Sequence, residues 1–181
     1  VSHADEVGFN RYTFLNLHAI LSQNLLTDPS DEGTVRSKAV DILGSVYVPL
    51  AVPQAVEYRF DQILSLCDAV DDPFEQAFFL MVHIPYLQPF MDCNKRLSRI
   101  GANLSLIMHN LRPLSFLDVP KRSYLEATLA VYEFRAIDYL RDVFIWAYER
   151  SCEQYTVIRE AMAEPDRFRL KYRLNLADTV R

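Results

Sequence analysis

Apolar residues recur at helical spacing near the start of the chain. Between residues 11 and 26 they fall three or four positions apart, at Phe14, Leu17, Leu21 and Leu25. Such spacing places them on one face of an amphipathic helix. The polar run that follows, residues 28–33, contains Pro29 and Gly33 and predicts an exposed loop.

The same period predicts five more helices. Residues 54–70 carry a stripe of Phe60, Ile63, Leu64, Cys67 and Val70. Asp72-Pro73 then suits a helix start, and Pro85 is expected to end or kink that helix. A further helix runs from about Asn94 to Asn110, with a predicted core stripe of Leu97, Ile100, Leu104, Ile107 and Leu111. Two more helices are expected at about 121–136 and 138–163.

One segment has a different period. Between Gly44 and Pro53, apolar residues occupy every second position, at Val46, Val48, Leu50 and Val52. A period of two predicts a short strand or hairpin, and Pro49 favours a sheet edge because proline cannot donate a ladder hydrogen bond. The fold class is therefore an all-α bundle with one small β element.

Composition agrees with a helical, single-domain protein. The 181 residues include only 4 glycines, so turns that need positive φ should be few. We expect one domain over residues 1–181, with flanking segments missing from the sequence. The formal net charge of −5 argues against general nucleic-acid binding. The odd, scattered cysteines (Cys67, Cys93 and Cys152) suit a reducing cytoplasm, and no apolar run approaches the roughly 20 residues of a membrane span.

Chemistry-bearing residues concentrate at the start of the predicted Asn94 helix. Arg96 and Arg99 are three residues apart and share a helix face, with Lys95 beside them. A helix start adds unpaired N–H groups that attract anions, and Asp92 is the kind of oxygen ligand that Mg²⁺ takes together with phosphates. These residues predict a site for Mg²⁺ and a polyphosphate, although a solvated surface cluster of charges explains the pattern equally well.

The segment Gln88-Pro89-Phe90-Met91-Asp92-Cys93-Asn94-Lys95-Arg96-Leu97-Ser98-Arg99 resembles the Fic family motif, His-Pro-Phe-x-Asp/Glu-Gly-Asn-Gly-Arg-x-x-Arg. The resemblance implies a Fic-like helical bundle in which residues 44–53, hereafter the flap segment, form a β-hairpin flap. It also implies transfer of AMP from ATP to a hydroxyl side chain of a target protein.

The resemblance implies a role for each matching residue. Asp92 would bind Mg²⁺, and Phe90 would anchor the loop in the core. The nucleotide phosphates would be held by Cys93, Asn94, Lys95, Arg96 and Arg99. Val46, Tyr47 and Val48 of the flap segment would dock an extended target segment by strand addition. A homodimer or a regulatory partner is a further alternative.

Three departures from the motif leave the activity open. Gln88 stands at the catalytic His position, and a carboxamide cannot accept a proton as imidazole does. Cys93 and Lys95 replace the two glycines. The Asn-Lys-Arg triplet also resembles the Doc branch, in which a phosphoryl group is transferred. The alternatives are therefore a weak or inactive adenylyltransferase, a non-catalytic module that binds a nucleotide or a partner, and a phosphotransferase.

None of these histidines is predicted to be catalytic: His18, His83 and His109. His83 precedes Gln88 by five residues, but it belongs to the end of the preceding helix, where a packed or surface histidine is the default. His18 and His109 have no carboxylate at metal-ligand spacing, and neither is assigned a function. Cys93 is interpreted as a small space-filling residue rather than a reactive thiol.

Overall fold

The computed structural model describes residues 8–161, with side chains described to residue 157. This part of the chain contains six α-helices and one 3₁₀ turn, Pro29–Asp31. The helices are α1 (Arg11–Ser22), α2 (Pro53–Asp68), α3 (Pro73–Leu87), α4 (Asn94–Met108), α5 (Lys121–Phe134) and α6 (Asp138–Ala161). The predicted all-α class is confirmed. No helix in the described part is both long and apolar enough to cross a membrane.

Helix boundaries follow from local capping chemistry. The Asp72 carboxylate accepts hydrogen bonds from the N–H groups of Phe74 and Glu75, both at 2.9 Å, and so caps the start of α3. Pro73 suits the first position of α3, because an N–H group there would have no acceptor within the helix and proline has none. At the other end α3 stops at Leu87, two residues after Pro85, as predicted.

The core consists of two clusters on either side of α3 and α4. The first joins α1, α2 and α3 around Phe14, Phe60 and Phe90. The second joins α3 and α4 to α5 and α6 around Met81, Leu106 and Phe144. Gly101 of α4 lies where a Cβ atom would approach Phe14 and Leu80 to 3.0–3.1 Å, so its small size permits close packing of the three helices.

The predicted core stripe of α4 is partly wrong. Leu97 is fully buried, but Ile107 is 57% exposed and Ile100 is also at the surface. The buried face instead includes small residues, namely Ser98, Gly101, Ala102 and Ser105. Small residues allow α4 to approach α3 closely, and this tertiary packing outweighs the apolar periodicity.

The flap segment does not form the predicted strand or hairpin, since no residue in the described chain is assigned to a strand. Its polar backbone groups bond elsewhere: the Val46 N–H donates to Glu133 Oε1 (3.4 Å), and the Leu50 carbonyl accepts from Arg36 (2.6 Å). Pro49 has no N–H to contribute to a ladder. Within this segment Tyr47 turns inward, whereas Val46 and Val48 face solvent.

Candidate functional site

The loop between α3 and α4, residues 88–93, is hereafter the motif loop. Its first and last residues both adopt the left-handed conformation, Gln88 at φ 52°, ψ 59° and Cys93 at φ 63°, ψ 4°. Phe90 anchors the loop in the core, as expected, because its buried ring stacks on His18 (3.9 Å between centroids) and meets Phe60 edge-on (5.5 Å). These contacts hold the loop in one compact turn.

Asn94, the first residue of α4, holds the motif loop together. Its buried side chain accepts a hydrogen bond from the Phe90 N–H (3.0 Å) and donates to the Phe90 carbonyl (2.8 Å). The second amide hydrogen goes to Gln88 Oε1 (2.8 Å). Both donors of the Asn94 side chain are therefore used within the protein, so the carboxamide has no free N–H to donate to a phosphate.

Gln88 is bonded on both sides of its carboxamide. The oxygen accepts from Asn94, and the nitrogen donates to the Pro85 carbonyl (2.7 Å) and to the Tyr132 hydroxyl (3.4 Å). Burial raises the pKa of Tyr132, so its hydroxyl stays protonated near neutral pH. Gln88 thus serves as a hydrogen-bonding link between α3, α4 and α5, and no base adjoins it in this network.

Two residues that sequence reasoning missed hold the motif loop from outside. His18 Nδ1 accepts from the Gly33 N–H (3.0 Å), so its Nε2–H donates to the Asp92 carbonyl (3.2 Å) and the ring is neutral. Burial lowers the pKa of His18 accordingly. Arg36 donates to the Gln88 carbonyl (2.5 Å), while its own N–H donates to Pro89 (2.9 Å).

A pocket of about 390 Å³ opens beside the motif loop. One wall consists of the motif residues, and the other of residues 40–43, which precede the flap segment. The lining residues are Val40, Asp41, Ile42, Leu43, Gln88, Met91, Asp92, Cys93, Asn94, Lys95, Arg96 and Arg99. We call this cavity the motif pocket. The structure brings all of the predicted phosphate-site and metal-site residues to it.

The three cations of the motif pocket are held differently. Arg99 lies over the rings of Phe116 and Tyr124, at 5.5 and 5.6 Å from their centroids, and its Nε donates to the Lys95 carbonyl. The Lys95 ammonium lies 5.7 Å from the centre of the Tyr132 ring, and burial together with Arg99 lowers its pKa. Arg96 forms a long, exposed ion pair with Asp92 (3.8 Å). Aromatic contacts thus orient Arg99 and Lys95 without neutralising them.

The start of α4 adds fixed positive polarity to the pocket. The first N–H groups of a helix have no intrahelical acceptor, and the helix dipole makes that end attractive to anions. The Cys93 N–H is satisfied by Asp92 Oδ1 (2.5 Å). The Cys93 thiol is buried and burial raises its pKa, so it fills space, as predicted, rather than acting as a thiolate.

Comparison with known proteins decides the family. The sequence profile of the Fic/DOC family matches residues 8–106, more than half of the chain, and this range includes the flap segment, the motif loop and most of α4. The chain belongs to the Fic/DOC family. Curated protein sequences gave no match.

Solved structures share the fold of this Fic domain at low sequence identity. Fic-1 from C. elegans matches with a TM-score of 0.67 and 19% identity, over 84% of this chain and 44% of that chain. BepC from Bartonella tribocorum, solved with bound AMPPNP, matches with a TM-score of 0.60 and 13% identity, over 77% and 74%. A Fic family protein from Desulfovibrio desulfuricans G20 matches with a TM-score of 0.59 and 15% identity, over 86% and 50%. The chain therefore spans less than half of the Fic-1 chain that it matches.

The two glycine replacements in this Fic motif differ in their backbone cost. Cys93 adopts positive φ, a conformation that glycine enters freely and other residues enter at a cost. Lys95 is an ordinary helical residue in the first turn of α4. Only the Cys93 position needs the conformational freedom of glycine, and replacing the second glycine adds a cation to the pocket without backbone strain.

The three predicted flap residues point in two directions. The Tyr47 hydroxyl donates to the Tyr86 carbonyl (3.0 Å), and its ring stacks against Tyr86 (4.6 Å) and Tyr132 (5.7 Å). Val46 and Val48 face solvent at 85% and 73% exposure. Tyr47 therefore fixes the flap segment to the helices, and the two valines form its exposed face.

Proposed function

We propose that this Fic domain binds Mg-ATP in the motif pocket and transfers AMP slowly to a hydroxyl side chain of a target protein. The observation that carries the proposal is the convergence of Lys95, Arg96, Arg99 and the α4 N-terminus on one open pocket. These groups suit the triphosphate of a nucleotide, because charge-assisted hydrogen bonds to phosphate are strong and directional.

The residues present fit a magnesium ion held together with phosphates. Among the described residues, no three His, Cys, Asp or Glu side chains form a metal cluster. Mg²⁺ commonly takes one or two carboxylates and completes its shell with substrate phosphates and water. Asp92 would supply that carboxylate, since its side chain is 64% exposed at the pocket. Bound, Mg²⁺ would neutralise phosphate charge.

The proposed chemical step is adenylyl transfer to a hydroxyl group. The oxygen of the acceptor hydroxyl attacks the α-phosphorus of ATP and forms a new P–O bond. The bond from the α-phosphorus to the bridging oxygen breaks, and pyrophosphate leaves. Arg96, Arg99 and the N–H groups of α4 would stabilise the negative charge in the transition state. Because Gln88 cannot take the hydroxyl proton, that proton passes to water or to a phosphate oxygen.

The rate of AMP transfer is expected to be low, because Gln88 cannot act as a general base. General-base catalysis contributes typically about 10²- to 10⁴-fold, whereas positioning and electrostatic stabilisation carry most of the catalysis of phosphoryl transfer. Slow transfer would therefore persist without His. BepC, which shares this fold, was solved with AMPPNP, and this supports a nucleotide as the ligand.

A second function, a non-catalytic module that binds a nucleotide, is favoured by one observation. The Gln88 carboxamide bonds to Asn94, Pro85 and Tyr132, which is the arrangement of a structural residue rather than of a vacated catalytic position. In that case the domain would hold Mg-ATP and respond to it without transferring AMP.

Labelled ATP distinguishes these functions. Wild type and Gln88→His would be incubated with a cell lysate and ATP labelled on either the α- or the γ-phosphate. Histidine restores a proton acceptor whose pKa lies near working pH, so we expect Gln88→His to raise α-label on protein by about ten-fold or more, which is about 1.4 kcal/mol of barrier. Gln54→His, the same substitution at an exposed site in the first turn of α2, serves as the matched control.

Each outcome favours one function. A gain of α-label specific to Gln88→His supports adenylyl transfer by this scaffold. Binding of ATP without label from either protein favours the binding module. Transfer of γ-label alone assigns phosphotransfer, with Lys95 as the residue to test next. Strong α-labelling by wild type that Gln88→His abolishes would contradict our account of Gln88.

A further inference from the structure

Arg36 is a buried arginine that bonds to main-chain carbonyls in two separate parts of the chain. Only 2% of its surface is exposed. Nε donates to the Gln88 carbonyl (2.5 Å), and the two terminal nitrogens donate to the carbonyls of Lys38 (2.8 Å) and Leu50 (2.6 Å). Each of these contacts uses a different nitrogen of one rigid guanidinium fork.

The Arg36 guanidinium is held by these carbonyl groups rather than by an ion pair. Among the residues that the structure describes, no carboxylate forms an ion pair with it. Burial lowers its pKa, but a guanidinium remains protonated in proteins. A buried cation needs its hydrogen-bond acceptors in place, so its three carbonyl partners are held at fixed positions around it.

One of these carbonyls belongs to a wall of the motif pocket, and the other two flank the opposite wall. Gln88 begins the motif loop, which forms one wall. Lys38 and Leu50 enclose the stretch that contains residues 40–43, which form the opposite wall. The Arg36 N–H also donates to the Pro89 carbonyl (2.9 Å), so main chain and side chain make the same connection.

We infer that Arg36 is a positioning residue that fixes the separation of the two pocket walls and thereby sets the affinity of the motif pocket for phosphate. The ligand part of this inference rests on the proposed function, whereas the mechanical part does not. The segment between Lys38 and Leu50 keeps other hydrogen bonds to the helices without Arg36. The Tyr47 hydroxyl donates to the Tyr86 carbonyl, and the Ser45 hydroxyl donates to Glu133 (3.0 Å). A variant at Arg36 should therefore loosen the pocket without releasing the whole segment.

Hydrogen exchange of the full chain tests the mechanical part. Arg36→Lys keeps the charge but cannot span three carbonyls, so we expect exchange in residues 38–48 and 88–93 to rise together, by about five-fold or more. Arg112→Lys is the matched control. Arg112 also bonds to a main-chain carbonyl, that of Cys152 (2.8 Å), and to Thr156, but it does not line the motif pocket. This control should leave both segments unchanged.

Native-state exchange of the wild type across a urea series gives a test that needs no variant. If Arg36 couples the two walls, amides in both segments should open with one free energy and one urea dependence. Separate opening of the two segments, or a rise confined to one of them in Arg36→Lys, would overturn the inference.

Calorimetry with Mg-ATP then tests the ligand part. We expect Arg36→Lys to bind at least about five-fold more weakly than wild type and Arg112→Lys to bind equally well. Equal affinity of Arg36→Lys and wild type would overturn the positioning role. A wild type that binds no Mg-ATP would refute the proposed function instead, and the exchange experiments would still decide whether Arg36 couples the walls.

Discussion

At the scale of single residues, the motif serves two purposes that its sequence pattern does not separate. Arg96 and Arg99 line the motif pocket, as a phosphate site requires. Asn94 and Gln88 also line the pocket, but their side chains bond the motif loop to itself and to α3 and α5. Sequence reasoning identified these positions by resemblance, but the partners of a carboxamide depend on the local three-dimensional fold, so their bonding could not be predicted.

Replacing Asn94 measures how much the loop depends on it. Asn94→Ala leaves the buried Phe90 N–H and Gln88 Oε1 without partners, so we expect the free energy of unfolding to fall by about 2–3 kcal/mol. Urea denaturation followed by circular dichroism is the measurement. Asn16→Ala, the same change on the exposed face of α1, should change stability by less than about 0.5 kcal/mol. A small loss for Asn94→Ala would contradict the role we assign.

At the scale of elements, periodicity predicted every helix but not every buried face. Phe14, His18 and Ser22 form the buried positions of α1, four residues apart, whereas Leu25 lies beyond its end and is exposed. The four-residue spacing from Phe14 indicates that His18 is buried. A prediction based on apolar residues alone does not include it, because histidine is polar. In the flap segment the periodicity predicted a strand that does not form. No other described segment pairs with it, and Pro49 has no N–H to donate to a partner strand.

The contact of His18 with the motif loop makes stability depend on pH. Burial lowers the folded-state pKa of His18 below its unfolded value of about 6.5, despite the opposing effects of Asp92 and Glu32. The unfolded chain therefore binds more protons as pH falls. The contribution of neutral His18 is fully present above pH 6.5 or so and is lost as the pH drops through the folded-state pKa.

Denaturation at several pH values tests this dependence. Wild type should lose stability between about pH 7.5 and 5, and His18→Gln should lose less over the same interval. His83, whose pKa is also lowered by burial, should account for part of the remainder, and His83→Gln measures that part. Asn16→Gln, which changes an exposed residue of α1 that does not titrate, is the control and should retain the wild-type dependence. An unchanged dependence in His18→Gln would refute the role of His18.

At the scale of the whole molecule, the fold places the cationic start of α4 opposite residues 40–43. Hydrogen bonds from Arg36 and Tyr47 hold the segment that contains these residues. The helices, their order and the motif were accessible from sequence, because caps, prolines and apolar spacing act locally. The second wall of the motif pocket could not be predicted from sequence, because residues 40–43 carry no recognisable motif. They are held beside the pocket by contacts between residues about 50 positions apart in the chain, such as that of Arg36 with Gln88. The central claim is that these walls enclose a site for Mg-ATP.

Titration calorimetry with Mg-ATP tests that claim most directly. The Arg99 guanidinium would make charge-assisted hydrogen bonds to phosphate, each worth about 1.5–3 kcal/mol, so Arg99→Ala should bind at least about ten-fold more weakly than wild type. Arg122→Ala, which removes an exposed arginine on α5 that pairs with Glu126, is the matched control and should bind as wild type does. Weaker binding confined to Arg99→Ala is the result we predict. Equal affinities of wild type and Arg99→Ala, or no binding by wild type, would contradict a phosphate site at the start of α4.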